Sequence, residues 1–249
     1  MISFGTSYQN AIEKNIGIIE KQIQSYFNNS TVFRAFTSHM ILNQLKKKSI
    51  QIDTIPQALE KIISQGYTTV VCQPTYIMHG KEYQKMLTQI QPYEQKINVR
   101  YANPLLYDTY DYQNVVEGIM AQNDFVTKQD ALVLVGHGSQ QNINSPYTML
   151  EHCFATRGYP FVLVGIIEDY DSMDRILKKL ERIAPNTVYI APFMIVIGAH
   201  AHRDIFGEHK NTWKSCIEHR GYCVKPILKG LGEYPAICSI FIKHIQNVL

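Results

Sequence analysis

Apolar and polar positions along the chain fall into two alternating kinds of segment. Short apolar runs with little polar alternation occupy residues 32–38, 68–73, 99–102, 131–135, 161–167 and 188–197. Such runs suit strands covered on both faces, which is the habit of parallel sheets in α/β proteins. Between them the period lengthens to that of an amphipathic helix over residues 10–27, 40–48, 82–91 and 111–122. Thr54 and Pro56 supply an N-cap and an early-turn proline for a further helix that runs to Gln65 and stops at Gly66. Residues 1–7 read as the last part of a strand and its exit loop.

From Ala131 the order of elements begins again, so the pattern predicts an internal duplication. Thr69-Val70-Val71 and Pro74 match Thr187-Val188-Tyr189 and Pro192, and at the same offset Gly80 matches Gly198 and Glu82 matches His200. Further collinear matches are Ser3-Phe4-Gly5-Thr6 with Gly136-His137-Gly138-Ser139, Phe36-Thr37 with Ile167-Glu168, and Asn103-Pro104-Leu105 with Lys225-Pro226-Ile227. The expectation is an α/β chain of two similar Rossmann-like lobes, residues 1–125 and 126–249, whose parallel sheets face each other across a cleft lined by strand-end loops.

Composition narrows the partners. A formal charge of +3 spread along the chain favours an anionic small molecule over a nucleic acid. The five cysteines form no Cys-x-x-Cys pair, which speaks against a disulfide framework or zinc ribbon and suits a cytoplasmic protein. No apolar run approaches membrane-spanning length, and no signal pattern opens the chain.

The chemistry expected at the cleft comes from strand ends. His137 follows the run Ala131-Leu132-Val133-Leu134-Val135 and is flanked by Gly136 and Gly138. Glu168 ends the next run, and His200 follows the one after. Two imidazoles and a carboxylate, each from a different strand end, suit a first-row divalent ion, and imidazole is also a base near neutral pH. His202 competes with His200 as a ligand, because extended spacing would put both on one side. His79, beside Gly80 and Glu82, is the least settled of the remaining histidines. The third glycine of a dinucleotide fingerprint, a Gly-Lys-Ser/Thr phosphate loop, a Gly-x-Ser-x-Gly elbow and a His-Glu-x-x-His helix are all absent.

Taken together, Ser3-Phe4-Gly5-Thr6-Ser7-Tyr8, Phe33-Arg34-Ala35-Phe36-Thr37-Ser38, Val135-Gly136-His137-Gly138, Gly198-Ala199-His200-Ala201, Thr212-Trp213-Lys214 and Leu231-Gly232-Glu233-Tyr234-Pro235-Ala236 resemble the anaerobic cobalt chelatases, the class II sirohydrochlorin cobaltochelatases. The resemblance runs almost the whole chain in collinear order. It implies a ferrochelatase-like fold and ATP-independent insertion of Co²⁺ into sirohydrochlorin for anaerobic cobalamin synthesis, with no cofactor beyond the substrate metal. It places metal and catalytic roles on His137, Glu168 and His200, and a further glutamate on Glu82. Phe4, Thr6, Ser7, Arg34 and Ser38 are the expected substrate-binding residues, the polar ones as donors to the acidic periphery of the macrocycle. Two departures stand out: His202 occupies a place that is usually apolar, and only Met1 and Ile2 precede Ser-Phe-Gly, so the central strand of the first lobe should be short and that lobe less stable. Loading of Fe²⁺ or Ni²⁺ on a related tetrapyrrole, or tetrapyrrole and metal carriage without turnover, are the alternatives, and a homo-oligomer is compatible with either.

Overall fold

A computed structural model describes residues 1–138 and 144–249. The strands are β1 (Ile2–Ser3), β2 (Ala35–Phe36), β3 (Thr69–Cys72), β4 (Asn98–Tyr101), β5 (Ala131–Gly136), β6 (Val162–Ile166), β7 (Val188–Pro192) and β8 (Val224–Pro226). Every pairing among them is parallel, and helices connect them. None of the described helices is long and apolar enough to cross a membrane.

The chain forms two compact units, Met1–Asp111 with Pro235–Leu249, and Tyr112–Tyr234. In the first, β1 pairs with β2, β3 pairs with β4, and a parallel bridge between Ile2 and Pro74 joins the pairs into the order β2-β1-β3-β4. In the second the order is β6-β5-β7-β8. These are the same plan, each half beginning on a central strand. The boundary at 125/126 drawn from the sequence differs from this division in two helices. Most of helix Thr109–Gln122 is counted with the second unit, and helix Pro235–Gln246 with the first, where it packs on helix Gly17–Tyr26. Periodicity marks the face a helix buries but not the sheet that covers it.

Registers show which matches between the halves hold. Ile2 lies opposite Pro74 as Val135 lies opposite Pro192, so Phe4 stands where His137 does and Gly5 where Gly138 does; Ser139 lies outside the described residues. Both glycines have positive φ, +98° and +88°. Two matches slip. The amides of Thr37 and Ile167 donate to the carbonyls of Ser3 and Gly136, so Ser38, not Thr37, occupies the place of Glu168. Likewise Cys72 pairs with Tyr101 as Ile190 pairs with Pro226, which separates Pro104 from Pro226. In both cases a side-chain likeness one to three positions away imitated the register that the backbone ladder decides.

The cores explain the central strands. Ala131, Val133 and Val135 face Leu163, Ile176, Leu180, Ile190 and Trp213, while Leu132 and Leu134 are buried as well. The indole of Trp213 lies over Gly165, where a Cβ would come within 2.3 Å of the ring. β1 is shorter than β5. A cavity of about 340 Å³ lined by Met1, Phe33, Leu59, Ile62 and Val70 lies beside it. The Met1 ammonium stands at its edge and donates to the Phe33 carbonyl at 2.6 Å. Burial holds this amine below its ordinary pKa.

Candidate metal-insertion site

In the second unit the buried strand β5 delivers His137 to the carboxyl edge of the sheet. Glycine is required on both sides of it. A Cβ on Gly136 would come within 2.3 Å of the Tyr147 ring, and one on Gly138 within 2.2 Å of Ile166 Cγ2. The ladder continues one step past the strands, as the Glu168 amide donates to the His137 carbonyl at 3.0 Å. That step sets the backbone of Glu168 next to His137, with the Glu168 side chain exposed.

His200 approaches from the loop after β7, at the start of a π turn over Ala201–Ile205. The rings of His137 and His200 lie 4.4 Å apart between centroids, tilted by 51°. His200 Nδ1 is 2.8 Å from Asp204 Oδ2. Asp204 in turn accepts from Arg203, Nε to Oδ1 at 2.6 Å and Nη2 to Oδ2 at 2.9 Å. The guanidinium bonds hold the Asp204 carboxyl below its ordinary pKa. Burial, reinforced by the neighbouring His200 and opposed by Glu168 and Asp204, holds His137 below the usual imidazole value. Its Nδ1 is buried and has no hydrogen-bond partner among the described residues. The site thus presents a His137 ring favoured in its neutral form, with lone-pair capacity to bind a divalent ion or accept a proton. Among the described residues no three His, Cys, Asp or Glu side chains are already gathered as a metal cage.

His202 corrects the reading that placed it beside His200. The segment is helical, its amide donating to the Gly198 carbonyl at 3.2 Å, and residues two apart on a helix point to different faces. The His202 side chain is exposed.

In the first unit, Phe4 is 43% exposed at the place equivalent to His137. Ser38, equivalent to Glu168, donates its amide to the Phe4 carbonyl and caps helix His39–Lys47 by accepting from the Ile41 amide at 3.4 Å. Thr6 is buried, and its hydroxyl accepts from the Tyr8 amide; the Ser7 carbonyl accepts from Lys48 Nζ at 3.1 Å. Glu82 lies in the first turn of helix Lys81–Ile90 and pairs with Lys85 at 2.6 Å. The same offset separates Pro74 from Glu82 and Pro192 from His200, and in both halves the glycine two residues earlier accepts the amide four positions on.

Arg34 is a second correction. It precedes β2 at the amino edge of the sheet, the end away from Phe4 and Ser38, and its guanidinium is forked onto Glu20. A basic residue in a strand-like run carries no signal of which end of the strand it will occupy.

Three groups escaped the sequence reading. Asp204 had a visible signal only if 200–205 were taken as helical, since it is then i+4 from His200. Tyr83 and Tyr107 meet His79 edge-on, at centroid distances of 4.2 Å and 5.7 Å. Tyr107 comes from a loop, so no periodicity pointed to it.

A family model described as cobalt chelatase (CbiK) matches residues 1–249. The sirohydrochlorin cobaltochelatase of Salmonella typhimurium is 33% identical, over 100% of this chain and 95% of its own. The sirohydrochlorin cobaltochelatase CbiKC of Nitratidesulfovibrio vulgaris is 26% identical, over 98% and 88%. Among solved structures, SirB from Bacillus subtilis with Fe³⁺ superposes with a TM-score of 0.70 at 14% identity, over 99% of this chain and 92% of that one. A likeness at that identity shows the fold. With the family model covering every residue, the chain belongs to the cobalt chelatase (CbiK) family.

Proposed function

We propose that this chain inserts Co²⁺ into sirohydrochlorin, without ATP, on the cytoplasmic, anaerobic route to cobalamin. The observation that carries the reading is the pair of imidazoles, His137 and His200, held 4.4 Å apart at the carboxyl edge of the second sheet. Metallation requires little more than such a pair. The macrocycle must release two pyrrole protons, and the metal must exchange water for ring nitrogens. No electron is transferred, and the ion's two charges balance the two protons lost. A neutral imidazole can hold the incoming ion and take up a proton afterwards. Glu168 would join the ligands or receive a proton, and Glu82 would carry protons to solvent. Phe4 would offer a flat apolar contact, with Thr6, Ser7 and Ser38 near the acidic periphery. The two compact units serve as the lobes of this chelatase.

The test is anaerobic incubation with sirohydrochlorin and Co²⁺, Fe²⁺ or Ni²⁺ in turn, following the pigment's absorption change. His137→Ala and His200→Ala should each lose roughly 10² to 10⁴ in rate from the acid-base role, with His202→Ala close to the parent. Full activity in His200→Ala would overturn the assignment. Faster insertion of another ion would change the metal, and tight pigment binding without insertion of any would make the protein a carrier.

A further inference from the structure

We infer that Asp204, clamped by Arg203, is a positioning residue that holds His200 as the Nδ1–H tautomer and so keeps its Nε2 lone pair for the metal. This rests on the proposed chelatase reading. A carboxylate is acceptor-only, so a 2.8 Å contact between Asp204 Oδ2 and His200 Nδ1 places the hydrogen on Nδ1. Nη2 of Arg203 also lies 3.3 Å from Nδ1, but it donates to Asp204 at 2.9 Å, and Nε donates to the other carboxylate oxygen. The guanidinium therefore secures both oxygens of the group that orients the imidazole. His137 has no such support among the described residues, where its Nδ1 lacks a partner. The two rings are not equivalent: one is oriented for coordination, the other is left to exchange a proton.

A surface i, i+4 pair would be the structural explanation, and the duplicated plan argues against it. In the first unit, helix Lys81–Ile90 buries Tyr83 and then Met86, three residues on; in the second, Ala201 and then Ile205 are buried, four residues on. The second segment also carries a π turn, closed by the Phe206 amide on the Ala201 carbonyl five positions back. By offset from Gly80 and Gly198, Asp204 falls on the position of the fully buried Met86. With Ile205 as the buried anchor, position 204 stays out of the core, on the face it shares with His200 four residues earlier. Single π turns within helices recur at functional sites because they re-aim one side chain while keeping the rest of the helix anchored.

The experiment uses the full-length protein without tetrapyrrole, at a pH where the ring is neutral, with ¹⁵N-labelled histidine. Long-range ¹H–¹⁵N spectra should show His200 as the Nδ1–H tautomer in the parent and a shift toward Nε2–H in Asp204→Ala. Co²⁺ titration followed by its visible ligand-field absorption should show affinity falling roughly 10- to 100-fold in Asp204→Ala, with a smaller fall in Arg203→Ala. Melting curves should stay near the parent's, and Asp204→Leu, which keeps a similar volume without an acceptor, serves if the alanine variant does not fold. An unchanged tautomer, or unchanged Co²⁺ affinity in a folded variant, overturns the inference. Failure of the parent to metallate sirohydrochlorin would overturn the chelatase reading instead, and these two measurements would still report on Asp204.

Discussion

Replacing Gly138 with alanine tests how the fold makes room for His137. The residue has a φ of +88°, and an added Cβ would stand 2.2 Å from Ile166 Cγ2 and 3.5 Å from Glu168 Cβ. Two costs follow. The left-handed backbone penalises a Cβ by about 1–2 kcal/mol. Overpacking against a β-branched side chain adds about 1–3 kcal/mol, because Ile166 is buried in β6 and has few alternative rotamers. The sum, about 2–5 kcal/mol, should lower the melting temperature by roughly 4–20 °C for a chain of this size. Gly158 separates the two causes: its φ is +91° but nothing lies within 4 Å of its Cβ position, so Gly158→Ala carries only the backbone cost. The steric part can be isolated again in an Ile166→Ala background, where the clashing methyl is absent and Gly138→Ala should cost about 1–3 kcal/mol less. Thermal unfolding followed by circular dichroism measures the parent and the four variants. Equal losses in Gly138→Ala and Gly158→Ala, with no coupling to Ile166, would refute the argument that close packing at this glycine shapes the site.

Two further outcomes are expected. Fusing Ala-Leu-Val directly ahead of Met1, the residues β5 has in the corresponding rows, should fill the cavity beside β3 and replace a buried ammonium with an amide. With roughly 1.5–3 kcal/mol for each of Leu and Val buried, against about 1.5 kcal/mol for each of the three residues ordered, the net lies between about −1.5 and +1.5 kcal/mol, so any rise in melting temperature should stay within about 6 °C, and a Gly-Ser-Gly fusion, which buries no apolar side chain, should melt below it. The third concerns pH. Burial holds folded His79 below its ordinary value. The unfolded chain therefore binds that proton first, and the stability gained from a neutral His79 is complete above ~6.5 and is lost as pH falls through that value toward the folded pKa. The melting temperature of His79→Gln should fall less than the parent's between pH 7 and pH 5, and parallel profiles would exclude His79 as a contributor.

Much of this molecule can be read from its residues alone, because the deciding forces are local. Unbroken apolar runs such as 131–135 declare doubly covered strands, and Thr54 with Gln57 forms the capping box that starts helix Ile55–Ser64. The same offsets after Pro74 and Pro192 exposed a duplication that the strand orders bear out. His137 stands out as a candidate because a strand that ends in Gly-His-Gly has only one polar side chain to present. What the residues could not settle depends on partners distant in sequence. Strand register decided that Ser38, not Thr37, corresponds to Glu168, and which end of β2 carries Arg34. The period over residues 111–122 announces helix Thr109–Gln122, but the unit to which it and helix Pro235–Gln246 belong is a matter of chain path. The helical path after His200, where an extended His-x-His was expected, took His202 off the face of His200 and set Asp204, four residues on, beside it. A change of one residue in helical pitch costs little locally and leaves no periodic trace, so only the packed structure, with Ala201 and Ile205 both anchored in the core, reveals it.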